Sequence, residues 1–72
     1  MNKKWKYEVL ENYKKANEKI IAILDEDGHI DKVAKGYYDY KRGVYNLYPT
    51  NYGTYSTIRE KMSVSIYDVK LR

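Results

Sequence analysis

The residues of this sequence best suited to chemistry are its tyrosines, seven of which fall between residues 36 and 57. Gly, Ser, Thr and Asn stand among them. A tyrosine ring supplies a large, rigid contact area with a polar end, and small polar neighbours supply adaptable hydrogen bonds. This composition is typical of a surface that binds another macromolecule.

The first hypothesis is therefore a small, non-catalytic protein-binding protein. Tyr and Arg are enriched among the residues that dominate the energy of protein interfaces. We expect an inhibitor or adaptor that blocks a larger protein, of the kind found in phages and mobile elements. The candidate partner-binding residues are Tyr37, Tyr38, Tyr40, Lys41, Arg42, Tyr45, Tyr48, Tyr52, Tyr55 and Arg59.

The second hypothesis is nucleic-acid binding. Cations neutralise phosphates, and aromatic rings stack on bases in proteins that bind single strands. A variant of this hypothesis makes residues 55–62 a recognition helix that enters a groove of the duplex. A homodimer is a further alternative, because an exposed aromatic sheet face or a free edge strand can pair two copies. The basic residues interleaved with the tyrosines are Lys35, Lys41, Arg42, Arg59 and Lys61.

Residues 23–34, with the sequence ILDEDGHIDKVA, resemble part of an EF-hand calcium loop. Asp25 and Asp27 fall at two ligand positions of that loop. However, Ile23 and Ala34 occupy the first and last positions, where a cage of six to eight oxygens needs acidic side chains. A chain with one His and no Cys also lacks a tetrahedral zinc set. We therefore expect a solvated acidic turn and no metal site.

Catalysis is not expected from this chain. A single His and no Cys leave no set of residues for nucleophilic catalysis, and no nucleophile-elbow motif is present. The four glycines lie too far apart in sequence to form a phosphate-binding loop. Carboxylate pairs exist, but a chain of 72 residues rarely forms the deep, dry pocket that acid–base catalysis needs. We therefore expect no enzyme activity, no cofactor and no small-molecule substrate.

Length and composition predict one small domain over residues 1–72. Hydrophobic residues are 43% of the chain, charged residues are 33%, and the formal net charge is +4. The absence of Cys excludes a disulfide scaffold. The longest apolar run is the five residues Ile20–Leu24, whereas a membrane-spanning helix needs about 20. No apolar segment of the kind found in signal peptides follows the first lysines, so we expect a cytoplasmic protein.

The first third of the chain has the periodicity of an amphipathic helix. Asn2 is a suitable N-cap, and the pattern predicts a helix that is best defined over residues 4–18. Residues 19–24 are either its continuation or a strand, because they contain three β-branched Ile residues and precede the hairpin signal Asp27-Gly28. The apolar residues at intervals of three and four are Trp5, Val9, Tyr13, Ala16, Ile20 and Leu24.

The tyrosine-rich half of the chain reads mainly as strands. Residues 37–41 and 44–48 are predicted to pair around Arg42-Gly43, and Pro49 is expected to end the second strand. The apolar spacing over residues 55–62 predicts one or two helical turns, and the apolar residues in 63–71 alternate as in a strand. The sequence therefore predicts an α+β fold, in which a long N-terminal amphipathic helix packs on a small antiparallel β-sheet of three or four strands.

Overall fold

The computed structural model describes residues 4–12 and 17–71. Among them the only helical element is a three-residue 3₁₀ turn, so none belongs to a helix long and apolar enough to cross a membrane. The chain order is β1 (Tyr7–Asn12), β2 (Glu18–Leu24), β3 (Ile30–Asp39), β4 (Val44–Tyr48), β5 (Met62–Ser65), the 3₁₀ turn (Ile66–Asp68) and β6 (Val69–Lys70).

These six strands form one sheet in the order β5-β4-β3-β2-β1-β6. Strands β1 to β5 are an antiparallel meander, and β6 pairs in parallel with β1. Strands β5 and β6 therefore lie at opposite edges of the sheet, although only the 3₁₀ turn separates them in the chain. The sheet is therefore strongly curled, which brings the end of β5 near the start of β6, because three residues cannot span an open six-stranded sheet.

The predicted α+β fold and its long N-terminal helix are wrong. Residues 7–12 and 18–24 are strands, with Tyr7 opposite Ile23 and Val9 opposite Ile21. Consecutive residues of β2 are buried, as in a strand covered on both faces, and such a run also contains the three- and four-residue spacings of a helix. The alternative strand over residues 19–24 is confirmed, and the sheet has six strands instead of three or four.

Asn17 shows why a helix does not run through this region. Its φ of 58° lies in the left-handed region, which a right-handed helix does not contain. Asn tolerates this conformation better than most residues, so the position suits a chain reversal immediately before β2. Asn2, Tyr13 and Ala16, which the predicted helix also used, lie outside the described residues.

The predicted hairpin around Arg42-Gly43 is confirmed as the β3–β4 connection. The Asp39 carboxylate accepts hydrogen bonds from the backbone N–H groups of Lys41 (3.1 Å) and Arg42 (3.2 Å). Gly43 takes a φ of 65°, which glycine adopts without steric cost. Strand β4 ends at Tyr48, immediately before Pro49, as predicted.

The predicted helical turns at residues 55–62 are absent. The Thr57 hydroxyl donates to the carbonyl of Val33 (2.8 Å) and accepts from the backbone N–H of Thr50 (3.0 Å). The Val33 N–H donates to the carbonyl of Ser56 (2.8 Å), so this segment lies beside β3 beyond the end of β4. Because its hydroxyl bonds to β3, Thr57 does not cap a helix. The predicted strand over residues 63–71 is also interrupted by the 3₁₀ turn.

The main hydrophobic cluster lies on one face of the curled sheet, which we call the inner face, while Ile20, Ala22 and Val33 are buried on the other. The opposite face is the outer face, and side chains alternate between the two along each strand. Within the described residues no buried side-chain nitrogen or oxygen atom lacks a hydrogen-bond partner. The core cluster consists of Val9, Ile21, Ala34, Tyr45, Leu47, Ile58, Val64 and Val69.

Candidate functional site

The structure divides the predicted tyrosine surface between the two faces of the sheet. Tyr37 and Tyr38 are consecutive residues of β3, so their side chains project from opposite faces. Tyr38 lies opposite Tyr45 on the inner face. Tyr37 packs against Tyr48 on the outer face. The tyrosines therefore belong to two surfaces with different neighbours.

The first surface is an open groove of about 630 Å³, which we call the aromatic groove. Strands β3 and β4 contribute one tyrosine each to its lining, and a tryptophan that precedes β1 also lines it. The remaining lining residues come from the end of the chain. None of the lining side chains among residues 4–12 and 17–71 is charged. They are Trp5, Tyr38, Tyr45, Ile66, Tyr67, Val69 and Leu71.

Aromatic contacts hold the wall of this groove. The ring of Tyr38 has its centroid 5.4 Å from that of Tyr40, nearly perpendicular to it, and also 5.4 Å from that of Tyr45. Such pairs contribute about 0.5–1.5 kcal/mol beyond the area they bury. Burial raises the pKa of the Tyr45 hydroxyl, and the neighbouring Tyr38 raises it further. The rings thus form a fixed and uncharged surface.

Side chains at the rim of the groove are unusually exposed for their size. Tyr67 is 76% exposed, Leu71 is 67% exposed, and Tyr40, beside Tyr38, is 71% exposed. Trp5, Tyr67 and Leu71 were not among the binding residues predicted from the sequence. The alternation of Tyr67, Val69 and Leu71 was a usable signal, but the groove forms only because the end of the chain pairs with β1 in the curled sheet and so lines one groove with Tyr38 and Tyr45.

The second surface is on the outer face, and we call it the Lys–Tyr surface: Lys35, Tyr37, Tyr48 and Lys61. The rings of Tyr37 and Tyr48 are edge to face, with centroids 5.8 Å apart. The Lys35 Nζ atom lies 5.8 Å from the centroid of Tyr37, and the Lys61 Nζ atom lies 5.5 Å from that of Tyr48. These distances allow cation–π attraction, so the four side chains form one basic and aromatic unit.

Glu18 fixes the orientation of one ring of this surface. The Tyr37 hydroxyl donates a hydrogen bond of 2.7 Å to the Glu18 carboxylate. This bond is the largest cause of a raised pKa for the Tyr37 hydroxyl, because the neutral hydroxyl is the form that donates. The hydrogen bond to Glu18 therefore holds the ring in its position.

The other predicted binding residues are not members of this surface, and Arg59 adjoins it through Lys61. Lys41 and Arg42 are exposed in the β3–β4 turn beyond Asp39, which lies about 13 Å along β3 from Lys35 at 3.3 Å per residue. Arg59 lines a different groove, which also contains Lys61. The rings of Tyr52 and Tyr55 stack on each other in the loop after β4, with centroids 6.3 Å apart. The structure does not bring the ten predicted residues together into one surface.

The predicted acidic turn connects β2 to β3. Ligand atoms of Asp25, Asp27 and His29 lie within 4.8 Å of one another, and all three residues are exposed. The Asp25 carboxylate accepts hydrogen bonds of 2.9 Å from the backbone N–H groups of Asp27 and His29. Together with the neighbouring His29 side chain, these bonds lower the pKa of Asp25, the bond to His29 having the largest effect. This carboxylate therefore stabilises the turn itself.

We expect the substitution Asp25→Asn to change the acid dependence of stability. Because the folded state lowers the pKa of Asp25, the ionised Asp25 carboxylate stabilises the folded protein. This stabilisation is complete above the ordinary pKa of an Asp in an unfolded chain, about 3.9. That effect is lost as the pH falls through the lowered folded value. Urea unfolding at several acidic pH values should give a flatter dependence for the variant than for the wild type. Identical slopes would contradict this role.

Comparisons of the chain with models of known protein families, with curated proteins and with solved structures find no match. Function is therefore inferred from the chemistry of the surfaces themselves. One is an uncharged aromatic groove on the inner side of the sheet, and the other is a basic, aromatic surface on the outer face.

Proposed function

We propose that this chain is a small, non-catalytic binding protein that docks its aromatic groove on a larger protein partner. The supporting observation is the concentration of exposed apolar side chains at one place. Tyr40, Tyr67 and Leu71 are the three most exposed of the large hydrophobic residues among those described, and all belong to the groove or adjoin it. Large apolar patches of this kind are characteristic of interaction sites.

The groove suits an apolar segment of the partner. The described part of its lining presents aromatic rings and hydroxyl groups without a charged side chain, so a charged partner segment would lose hydration there without gaining an ion pair. Aromatic residues in the centre of an interface often dominate its energy. We therefore expect contact with aliphatic or aromatic side chains, and an affinity that changes little with salt. By covering an apolar segment on the surface of its partner, a protein of this size would act as an inhibitor or an adaptor.

A comparison of two matched variants tests this proposal. The double variant Tyr67→Ser/Leu71→Ser removes exposed apolar groups from the groove. The control Tyr55→Ser/Met62→Ser removes an exposed Tyr and an exposed Met from elsewhere. Each protein is immobilised, and proteins captured from a lysate of the source cells are identified. A specific partner should bind to the wild type and the control but be lost from the groove variant.

Calorimetry with the purified partner then gives the size of the effect. The groove variant should bind at least about tenfold more weakly, because truncation of a dominant interface residue costs about 2 kcal/mol or more. A partner that binds both variants equally would refute the groove as its docking site. Sedimentation of the protein alone is the second check. Self-association that only the groove variant abolishes would identify a second copy as the occupant and would contradict the proposal.

A further inference from the structure

We propose that the protein also binds single-stranded nucleic acid, through the Lys–Tyr surface and the basic groove that adjoins it. This groove has a volume of about 960 Å³, and its cations are Lys32, Arg59 and Lys61. Lys61 belongs to both features, since its Nζ atom lies over the ring of Tyr48. The two features therefore form a continuous path that is separate from the aromatic groove.

The charge of this path is complementary to phosphate. None of its four cations, Lys32, Lys35, Arg59 and Lys61, forms an ion pair with a carboxylate of the described residues. Of the nearby acids, Glu18 accepts the hydrogen bond of the Tyr37 hydroxyl. Glu60 is the only acid that lines the groove within the described part of the chain. Both carboxylates keep their negative charge, but four cations against these two acids leave a net positive charge for a polyanion.

The rings of the path are suited to nucleic-acid bases. Tyr37 and Tyr48 are half-buried, which keeps part of each ring accessible while the strand fixes its position. Asn46 lies opposite Tyr37 on the same face, and Ser63 lies opposite Asn46 and bonds to it at 2.7 Å. Stacking on fixed rings, with amide and hydroxyl groups at their side, is how proteins hold unpaired bases.

This geometry favours a single strand over a duplex. Sequence recognition in a duplex usually places a helix or a two-stranded ribbon in the major groove. Among the described residues the only helical element has three residues, and residues 55–62 do not form the recognition helix considered from the sequence. Tyrosine rings fixed on a sheet reach bases only when those bases are unpaired.

Fluorescence anisotropy with a labelled oligothymidine of about twelve nucleotides, measured at several salt concentrations, tests this proposal. Four phosphate contacts predict a slope of log affinity against log salt of about −2.8, since each contact to a single strand contributes about −0.7. The variant Lys35→Gln/Lys61→Gln should weaken binding at least about tenfold and reduce the slope by about 1.4. Gln keeps much of the side chain that packs on each ring.

The matched control is Lys41→Gln/Arg42→Gln, which removes the same charge from the β3–β4 turn. We expect its affinity to stay within about twofold of the wild type and its slope to be unchanged, because the turn lies far from Lys35. Equal losses in the two variants would show attraction to net charge alone and overturn the proposed site. The absence of binding at low salt would overturn it as well.

Two further comparisons exclude other occupants. Poly-glutamate that competes as well as unlabelled oligothymidine would indicate an acidic protein segment instead of nucleic acid. A duplex that competes as well would contradict the preference for single strands. The variant Tyr67→Ser/Leu71→Ser should bind the oligonucleotide normally, so failure of the aromatic groove as a docking site is distinguishable from failure of this proposal.

Discussion

Replacement of Leu47 by Ala is expected to reduce the free energy of unfolding by about 2–5 kcal/mol. Leu47 is fully buried on β4, between Gly36 of β3 and Met62 of β5. Its truncation removes apolar contacts and leaves a cavity that the strands around it cannot close completely. Urea unfolding, followed by the fluorescence of Trp5 and by circular dichroism, measures the change.

The control for this prediction is Leu71→Ala, which makes the same chemical change at a residue that is 67% exposed. We expect a change within about 0.5 kcal/mol for this variant, because exposed substitutions outside special positions have small effects. A domain of 72 residues is stable by roughly 4–11 kcal/mol, so the Leu47 variant should lose a large part of its stability. Equal effects of the two variants would show that Leu47 is not a core residue.

The second large effect is expected at Gly36, where the inner face has no room for a side chain. A Cβ atom at this position would lie 2.5 Å from Cδ1 of Ile21 and 3.1 Å from Cδ2 of Leu47. Both neighbours are fully buried, so they cannot move away without disturbing other packing. We expect Gly36→Ala to destabilise the protein by about 1–3 kcal/mol. Where a site has room for the Cβ atom, the same substitution usually stabilises a protein, because Ala lowers the conformational entropy of the unfolded chain.

A double-mutant cycle with Ile21→Val tests the cause of this loss. Valine lacks the Cδ1 atom that approaches residue 36 most closely. In the Ile21→Val background, Gly36→Ala should therefore cost at least about 1 kcal/mol less than in the wild type, which is a coupling typical of residues in contact. An equal cost in both backgrounds would mean that close approach to Ile21 is not the source of the loss.

The two proposals assign different partners to opposite sides of one sheet. The aromatic groove is uncharged, whereas the Lys–Tyr surface joins cations to rings. Binding at the groove should change little with salt, and binding at the Lys–Tyr surface should weaken steeply as salt increases. Binding of the protein partner and binding of nucleic acid can therefore each be measured on a variant that lacks the other binding surface.

Local sequence alone was sufficient to predict the turns and the β3–β4 hairpin. Gly28 and Gly43 both take a positive φ at the turns that their dipeptides predicted, and β4 ends before Pro49. These signals depend on the backbone preferences of one or two residues, so they need no information about distant parts of the chain. The strand character of the tyrosine-rich segment was predicted for the same reason.

The N-terminal third was decided by tertiary structure. Residues such as Val9 and Ile20 satisfy helical spacing, but Ile20, Ile21 and Ala22 are all buried in β2 between β1 and β3. Burial on both faces removes the polar–apolar alternation that distinguishes a strand from a helix. Only the pairing of β2 with both neighbours resolves the ambiguity, and that pairing is a property of the whole sheet.

The candidate sites depended on tertiary structure in the same way. The sequence determined that tyrosines and cations are abundant in its second half, and hence that a binding surface was the best hypothesis. Strand alternation then placed Tyr37 and Tyr38 on opposite faces. Tyr67 and Leu71 line the same groove as Tyr38 and Tyr45 because the sheet is curled and its last strand, β6, pairs with β1. A surface shared by residues so far apart in the chain follows from the curvature of the whole sheet, which no local pattern encodes.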